Sequence, residues 1–367
     1  MMSRRVATAV DNGGSGQARS MDRELRVVDS PDFHFVRALQ CSAPVTREAV
    51  SFLDTQSTSH PFQFPEWAGK GAYLALLRQR GELRWFAQCG VFYPAGRVVP
   101  VRALSVNRGP VCDDLALLEA GLHRLVEESR KQGFAFIDVV PDWTGDFAGS
   151  AGTMLARNGW KALPGARSSL RLDLGRGPDQ LLANFRKVTR YEIRRAERQE
   201  VHVRMARAEN DRDQWLRLYR DMAAQKQFAA EDAGYVGRVL RWLGDEEDRG
   251  GLLLAHKDGS LLGGIVIVRS AARCWYVLGA TVKDNRFSVG HLLQWRAIQW
   301  AKDRGCLEYD LSGGEYREGV DGGTAFFKRG FCDNVVHFLS PHRYVTSGTR
   351  LRVSDFMSKV RVGLRIS

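Results

Sequence analysis

Long apolar runs are missing from this chain. Nowhere does it approach the ~18 consecutive apolar residues that a membrane-crossing helix needs, so no such helix is expected. Metal-ligand spacing is missing as well. The six cysteines (Cys41, Cys89, Cys112, Cys274, Cys306, Cys332) form no CxxC pair, and the eight histidines are scattered. Neither a metal site nor a disulfide framework is expected; single thiols in a reducing cytoplasm are. Residues 1–20 are basic with only a short apolar patch, which does not read as a secretory leader. They read as part of a disordered tail over 1–24, with Met21 as a second candidate start. Acid is scarce: 42 Asp and Glu against 54 Lys and Arg leave a net charge of +12. That imbalance implies a polyanionic partner, either nucleic acid or an anionic membrane surface touched peripherally.

What is present is enough apolar material for a sizeable core, 44% hydrophobic and 10% aromatic, in 367 residues. That length suits two domains of ordinary size or one large one. The organising stretch is 307–331, LEYDLSGGEYREGVDGGTAFFKRGF. Leu307, Tyr309 and Leu311 alternate with Glu308 and Asp310 as in a strand. Ser312-Gly313-Gly314 ends it, a glycine-rich loop follows, and 324–328 forms a short amphipathic turn before Gly330. Such a corner can bring a carboxylate (Asp310), backbone N–H groups and one lysine (Lys328) to one small volume. The plain alternative is a surface loop with a solvated lysine.

The chain reads in order as follows. Strand pattern begins at 33–39, and an aromatic corner at 60–65 leads into a predicted helix over 66–78. Strands are predicted over 83–92 and 98–106, a helix from 115 to Gly133 and a buried strand over 134–140. Later, 251–256, 261–268 and 274–280 read as consecutive antiparallel strands, followed by a helix over 289–304 and a strand over 306–311. The two halves overlay. Gly133 precedes Asp138 by five residues and Gly305 precedes Asp310 by five; each strand then leads through a loop to a glycine-aromatic pair, Gly159-Trp160 and Gly330-Phe331. A helix, a glycine, a strand with a terminal aspartate, a loop and a short helix occurring twice in one order indicate a duplicated α/β domain.

Between the copies lies a predicted helix over 177–198. Leu181, Leu182, Phe185 and Ile193 give it a narrow apolar edge; Arg186, Lys187, Arg190, Arg194, Arg195 and Arg198 face only Glu192 and Glu197. Arg190, Arg194 and Arg198 stand four apart, where like charges repel. A solvated face is the plain reading and a phosphate-binding face the functional one.

Taken together, KVTRYEIRRAER (187–198), NRGP (107–110), WYVLGA (275–280), GHLLQWRAIQWAKDRGCLEYDLSGG (290–314) and FFKRGF (326–331) resemble the Fem family of tRNA-dependent aminoacyltransferases. The resemblance runs over residues 60–338. It implies two tandem domains of the GCN5-related N-acetyltransferase (GNAT) type with mixed, mostly antiparallel sheets: 25–176, then 177–345, then a basic C-terminal tail over 346–367. It also implies amide formation, in which an acceptor amine attacks the ester carbonyl of aminoacyl-tRNA; no cofactor is needed, and peptidoglycan precursors or related peptides are the acceptors. Carried onto this sequence, Lys328 lies at the reacting centre with Asp310 as second candidate. Arg190, Arg194, Tyr235, Tyr276, His291 and Phe327 become candidate substrate-binding residues, and Lys187, Arg195 and Arg198 candidate tRNA-phosphate contacts.

Two departures stand out. Where family members grip a diphosphate with an arginine four residues before a tyrosine, this chain has Glu231 before Tyr235. The stretch 201–250 also lacks room for the long helical arm of some relatives. Three alternatives stay open. An acyl-CoA-dependent enzyme of the same fold would need a pyrophosphate loop, but 285–291 reads NRFSVGH, with Ser288 at a glycine position and Asn285 at a cationic one. A non-catalytic anion-binding relative would keep the fold alone. Asp310 and His291 have plain readings too, a strand-end cap and a packed ring.

Overall fold

The computed structural model describes residues 31–366 except 97–98, 227–230, 232, 246–247, 283–284, 315 and 317–322; the side chains of 233, 235, 245, 285 and 358–366 are likewise not described. The tail 1–24 and most of the glycine-rich loop therefore lie outside the described residues.

The first half runs β1 (Asp32–Arg37), α1 (Ala43–Leu53), β2 (Tyr73–Gln79), β3 (Glu82–Phe92), β4 (Ala103–Asn107), α2 (Leu115–Lys131), β5 (Phe136–Val140), α3 (Gly145–Arg157) and β6 (Lys161–Ala162). Then come β7 (Arg167–Asp173), α4 (Pro178–Asn184), α5 (Lys187–Arg198), β8 (His202–Met205), α6 (Glu209–Lys226), α7 (Ala233–Asp245), β9 (Gly250–Lys257), β10 (Ser260–Ser270) and β11 (Arg273–Thr281). The chain ends with α8 (Val289–Asp303), β12 (Glu308–Gly313), α9 (Gly323–Arg329), β13 (Val335–Phe338), β14 (His342–Val345) and α10 (Gly348–Ile366).

These strands make two sheets with one plan. The orders are β1-β2-β3-β4-β5-β14-β6 and β8-β9-β10-β11-β12-β7-β13. Each holds a single parallel pair, β4 with β5 and β11 with β12, amid antiparallel neighbours. The mixed, mostly antiparallel tandem architecture expected from the resemblance is what is found. The sheets also exchange strands: β7 leaves the first half to pair with β12 and β13, and β14 returns from the second to pair with β5 and β6. The expected boundary at 176/177 thus falls after a strand that already belongs to the second sheet.

Three local expectations are corrected. The helix over 66–78 is absent; one short turn over Pro65–Trp67 precedes β2, whose Tyr73 to Leu77 are all buried. A run of apolar residues covered on both faces makes a central strand, and pairing overrides the helix preference of Leu and Ala. The basic helix is two helices, because Phe185 and Arg186 leave helical geometry (ψ 153° and 146°) between α4 and α5. The C-terminal segment is the helix α10, not a tail. Four apolar clusters form the core; one packs α6 and α7 of the second half against α1, β2 and β3 of the first.

Candidate functional site

The site forms where the second sheet opens. The parallel pairing of β11 with β12 ends at Trp275 and Asp310, although both strands continue. Beyond that point Ser312, at φ 63°, interrupts the register with β7, and its hydroxyl donates to the Tyr276 carbonyl across the gap. The carbonyls of Ser312 and Gly313 are thereby free to receive Lys328, whose Nζ donates to them at 3.1 and 3.0 Å.

Lys328 is only 5% exposed. Burial pulls its ammonium down to about 8, against the opposing pull of Asp310. Its Nζ stands 5.6 Å from the centre of the Tyr276 ring, and burial pushes the Tyr276 phenol up to about 12. The short helix α9 carries Lys328 and is pinned to α5 at Gly330. A Cβ there would meet Thr189 Oγ1 at 2.2 Å, and the Gly330 carbonyl accepts from Arg186 N at 2.9 Å. The glycine of FKRGF is a docking requirement.

Around this corner is a cleft of about 890 Å³. Its walls are one side of α5 (Val188, Thr189, Glu192, Arg195), Ile265 and Tyr276 of the sheet, the start of α8 with His291, and Phe326, Phe327 and Lys328 of α9. Five sequence candidates therefore meet in one place: Lys328, Tyr276, His291, Phe327 and Arg195. The His291 ring packs edge-on to Phe327 at 4.9 Å, and burial lowers its basicity, keeping it neutral near pH 7.

Other candidates lie elsewhere. Asp310 is 2% exposed and does not line the cleft; it accepts from Arg171 Nε at 3.0 Å, from the Ser169 hydroxyl and from Ser312 N at 2.8 Å. Its reading as a reacting carboxylate gives way to that of a strand-end anchor whose lone pairs are taken. Arg190 is also committed: its Nη1 donates to the carbonyls of Ala183 (2.9 Å) and Phe185, capping the end of α4. Lys187, Arg194 and Arg198 are exposed on the outer side of α5. The Tyr235 side chain lies outside the described residues.

A second cavity, about 280 Å³, lies on the other face of the same sheet. Val266 and Val277 line it where their neighbours Ile265 and Tyr276 line the cleft. Phe62, Trp67, Val239 and Leu240 make it apolar, Gln88, Ser105 and Asn107 add neutral polar groups, and Glu231 is the one charge among the described lining residues.

Sequence reading missed Ser312, Arg171 and the pairing of Glu192 with Ser288. A serine held in left-handed geometry has no sequence signature. Arg171 did carry one, a cation set between two leucines, Leu170 and Leu172.

The fold itself raises acyl-CoA, whose pyrophosphate would sit at the start of α8. The residues there do not fit it. Ser288 precedes α8 in left-handed geometry, and its hydroxyl donates to the Glu192 carboxylate of the adjoining α5. An anion already stands where a pyrophosphate needs donors.

The comparisons with known proteins agree with this fold. The family model described as an acetyltransferase (GNAT) domain matches residues 183–329. The structure of FemX superposes with a TM-score of 0.71 at 16% identity, covering 82% of this chain and 96% of that one. A tandem GNAT protein from the clavulanic acid biosynthesis pathway matches at TM-score 0.52 and 10% identity, over 86% of this chain and 99% of that one. Fold and sheet plan thus define a protein of the tandem GNAT-type fold. A UDP-N-acetylmuramoylpentapeptide-lysine N(6)-alanyltransferase from Weissella viridescens is 25% identical over 256 residues, 65% of this chain and 73% of that protein. The resemblance to the Fem family is borne out, by sequence in the alanyltransferase and by fold in FemX.

Proposed function

We propose that this chain is a cytoplasmic aminoacyltransferase that moves an amino acid from aminoacyl-tRNA to an amine acceptor, with peptidoglycan precursors or related peptides as the acceptor class. The observation that carries the reading is Lys328, a buried ammonium on the wall of a large cleft, beside the gap between β11 and β12. The ester carbonyl is already activated, so no nucleophilic side chain is required. The acceptor nitrogen adds to the carbonyl carbon, and the developing oxyanion needs a fixed positive charge. Collapse of the tetrahedral intermediate expels the ribose oxygen, which Lys328 can protonate because its ammonium is made more acidic by burial. His291, kept neutral, is positioned on the same cleft to take the proton that the acceptor amine loses.

The two cavities on opposite faces of the second sheet suit a donor and an acceptor arriving from opposite sides. Arg195 and the basic helix α5 support taking the cleft as the tRNA side. The small cavity, with Glu231 and no cation among its described lining residues, favours an acceptor whose bound part is apolar or cationic rather than a diphosphate.

The test is transfer by the purified protein of label from a mixture of radiolabelled aminoacyl-tRNAs, or of acyl-CoAs, into acceptors in a cell extract. Labelled product that disappears when the donor is treated with RNase supports the reading. Label arriving only from acyl-CoA, or none from either donor, sinks it.

A further inference from the structure

The NRGP turn takes no part in the chemistry above. Its Asn107 lines the small cavity, and Arg108, held at φ 61°, reaches from there to the second sheet. The residues it meets lie on the cavity's face of that sheet. Trp275 pairs with Val268, two residues from Val266, and the register continues through Asp310 to Arg171. Arg167, four residues before Arg171 on β7, shares that face and pairs with Phe338. Three guanidiniums gather at the Phe338 ring, those of Arg108, Arg167 and Arg171 standing 5.9, 5.2 and 5.3 Å from its centre. A Cβ on Gly313 would stand 4.0 Å from Arg108 Nη2, and the Gly313 carbonyl is one of the two that hold Lys328.

The charges here do not balance. Asp142 accepts from Arg108 Nη1 at 2.9 Å and from Arg167 Nη2, Asp310 from Arg171, and Glu308 from the neighbouring Arg273 at 2.6 Å. Among the described residues four guanidiniums thus share three carboxylates. Burial raises the Asp142 carboxyl, yet the Arg108 and Arg167 charges outweigh it and hold the group well below its usual range, so it counts as a full anion. His60, 3.9 Å from Asp142, is kept neutral by burial and adds no charge. A guanidinium does not relieve the excess by losing its proton, and unpaired charge in a poorly solvated seam is costly. The unmet donors can be named. Arg171 is 6% exposed, yet its Nη2 has no hydrogen-bond partner, and of the Arg108 nitrogens only Nη1 finds an acceptor among the described residues. The Arg108 and Arg167 side chains are each 20% exposed, so the cluster is open to solvent on their side.

We propose that Arg108, with Arg167 and Arg171 around the same ring, forms a carboxylate-binding site that holds one end of the acceptor. One missing negative charge and a planar guanidinium with unmet N–H groups match a carboxylate, which such a group grips through paired hydrogen bonds. The site continues the small cavity along one face of the sheet by way of Asn107, so an apolar stretch and a carboxylate of one molecule suit the two in turn. A carboxylate there lies across the end of β12 from Lys328. That it belongs to the acceptor rests on the function proposed above; the anion site itself does not.

The experiment titrates the protein with propionate and with propionamide, its neutral isostere, at constant ionic strength, and follows binding by saturation-transfer-difference NMR. Propionate should bind about ten-fold more tightly, the scale of a charge-assisted hydrogen bond. Arg108→Gln should erase the difference; Arg108→Lys, which keeps a cation beside Asp142 without the planar fork, should reduce it. A merely structural Arg108 would move both probes together or neither. Equal binding of the two probes to the unaltered protein, absent binding included, or a preference that survives in Arg108→Gln, overturns the proposal. Should Arg108→Gln fail to fold, Arg108→Lys decides, and an undiminished preference there overturns it. Transfer kinetics separate the two readings. With aminoacyl-tRNA as donor, Arg108→Gln should raise KM about ten-fold for a lysine-containing peptide with a free C-terminal carboxylate and leave it unchanged for the C-terminal amide. If transfer proceeds but the two KM values move together or not at all, the acceptor assignment fails alone; if propionate binds through Arg108 but no amine is acylated, the aminoacyl-transfer reading fails alone.

Discussion

Arg171 and Asp310 face one another on adjacent strands from opposite halves of the chain, Arg171 Nε standing 3.0 Å from Asp310 Oδ2 with both side chains buried. The first sheet repeats the arrangement. Arg343 of the returning strand β14 opposes Asp138 of β5, with contacts of 2.6 and 2.8 Å. The equivalent aspartate of each repeat is thus the anchor for the strand that the other half contributes. Breaking one member of a buried pair strands its partner's charge, a loss of about 3–5 kcal/mol. Arg171→Met should lower unfolding stability by that order in urea titrations. Arg343→Met should cost less, because Arg343 and Asp138 are 29% and 15% exposed against 7% and 3%. Equal losses would show that burial is not what sets the strength of these pairs.

Lys328 is asked to stabilise charge, so Lys328→Met should slow transfer by about 100-fold or more, the scale of losing one oxyanion contact. The fold should survive, since a buried ammonium is replaced by an apolar chain of similar length. Transfer at a near wild-type rate in a well-folded Lys328→Met protein would remove Lys328 from the mechanism.

The depressed Lys328 ammonium also makes two statements about pH. Transfer should lose its upper limb near pH 8 as the ammonium deprotonates. For stability, the folded group holds its proton less tightly than the unfolded one, about 8 against the ordinary 10.5, so the unfolded state binds more protons between those values. Burying the ammonium therefore opposes folding below about pH 8, and the penalty fades as pH rises to 10.5. Lys328→Met should gain stability over wild type at pH 7 and lose that advantage by pH 10.5; a pH-independent difference would refute the assignment.

Arg190 and Arg194 should separate cleanly although they stand four residues apart on α5. Arg190→Ala removes the cap on α4 and should lower stability by about 1 kcal/mol while leaving the salt dependence of RNA binding intact. Arg194→Glu should weaken RNA binding and leave the melting temperature unchanged. Both positions behaving alike would return α5 to the reading of a solvated basic face.

Much of this molecule was legible before any coordinates. Glycines at helix ends, period-two alternation and the recurrence of one element order are local signals, and they marked the duplicated α/β plan, the strand that carries Asp310 and a lysine set on a glycine-flanked corner. Nothing local marks which sheet a strand joins. The alternation in β7 and β14 tells which residues face inward and not whose edge they complete, so the exchange stayed hidden. The arginines of α5 show the same limit. Their spacing put Arg190 and Arg194 on a common footing, yet a carbonyl cluster at the end of α4 claims one and solvent the other. Sequence alone determined the repertoire of elements and the charges available to the site, because backbone preference and periodicity are short-range. Only the tertiary structure decided which charges are neutralised and which are left for a ligand, because burial and pairing depend on groups that are far apart along the chain.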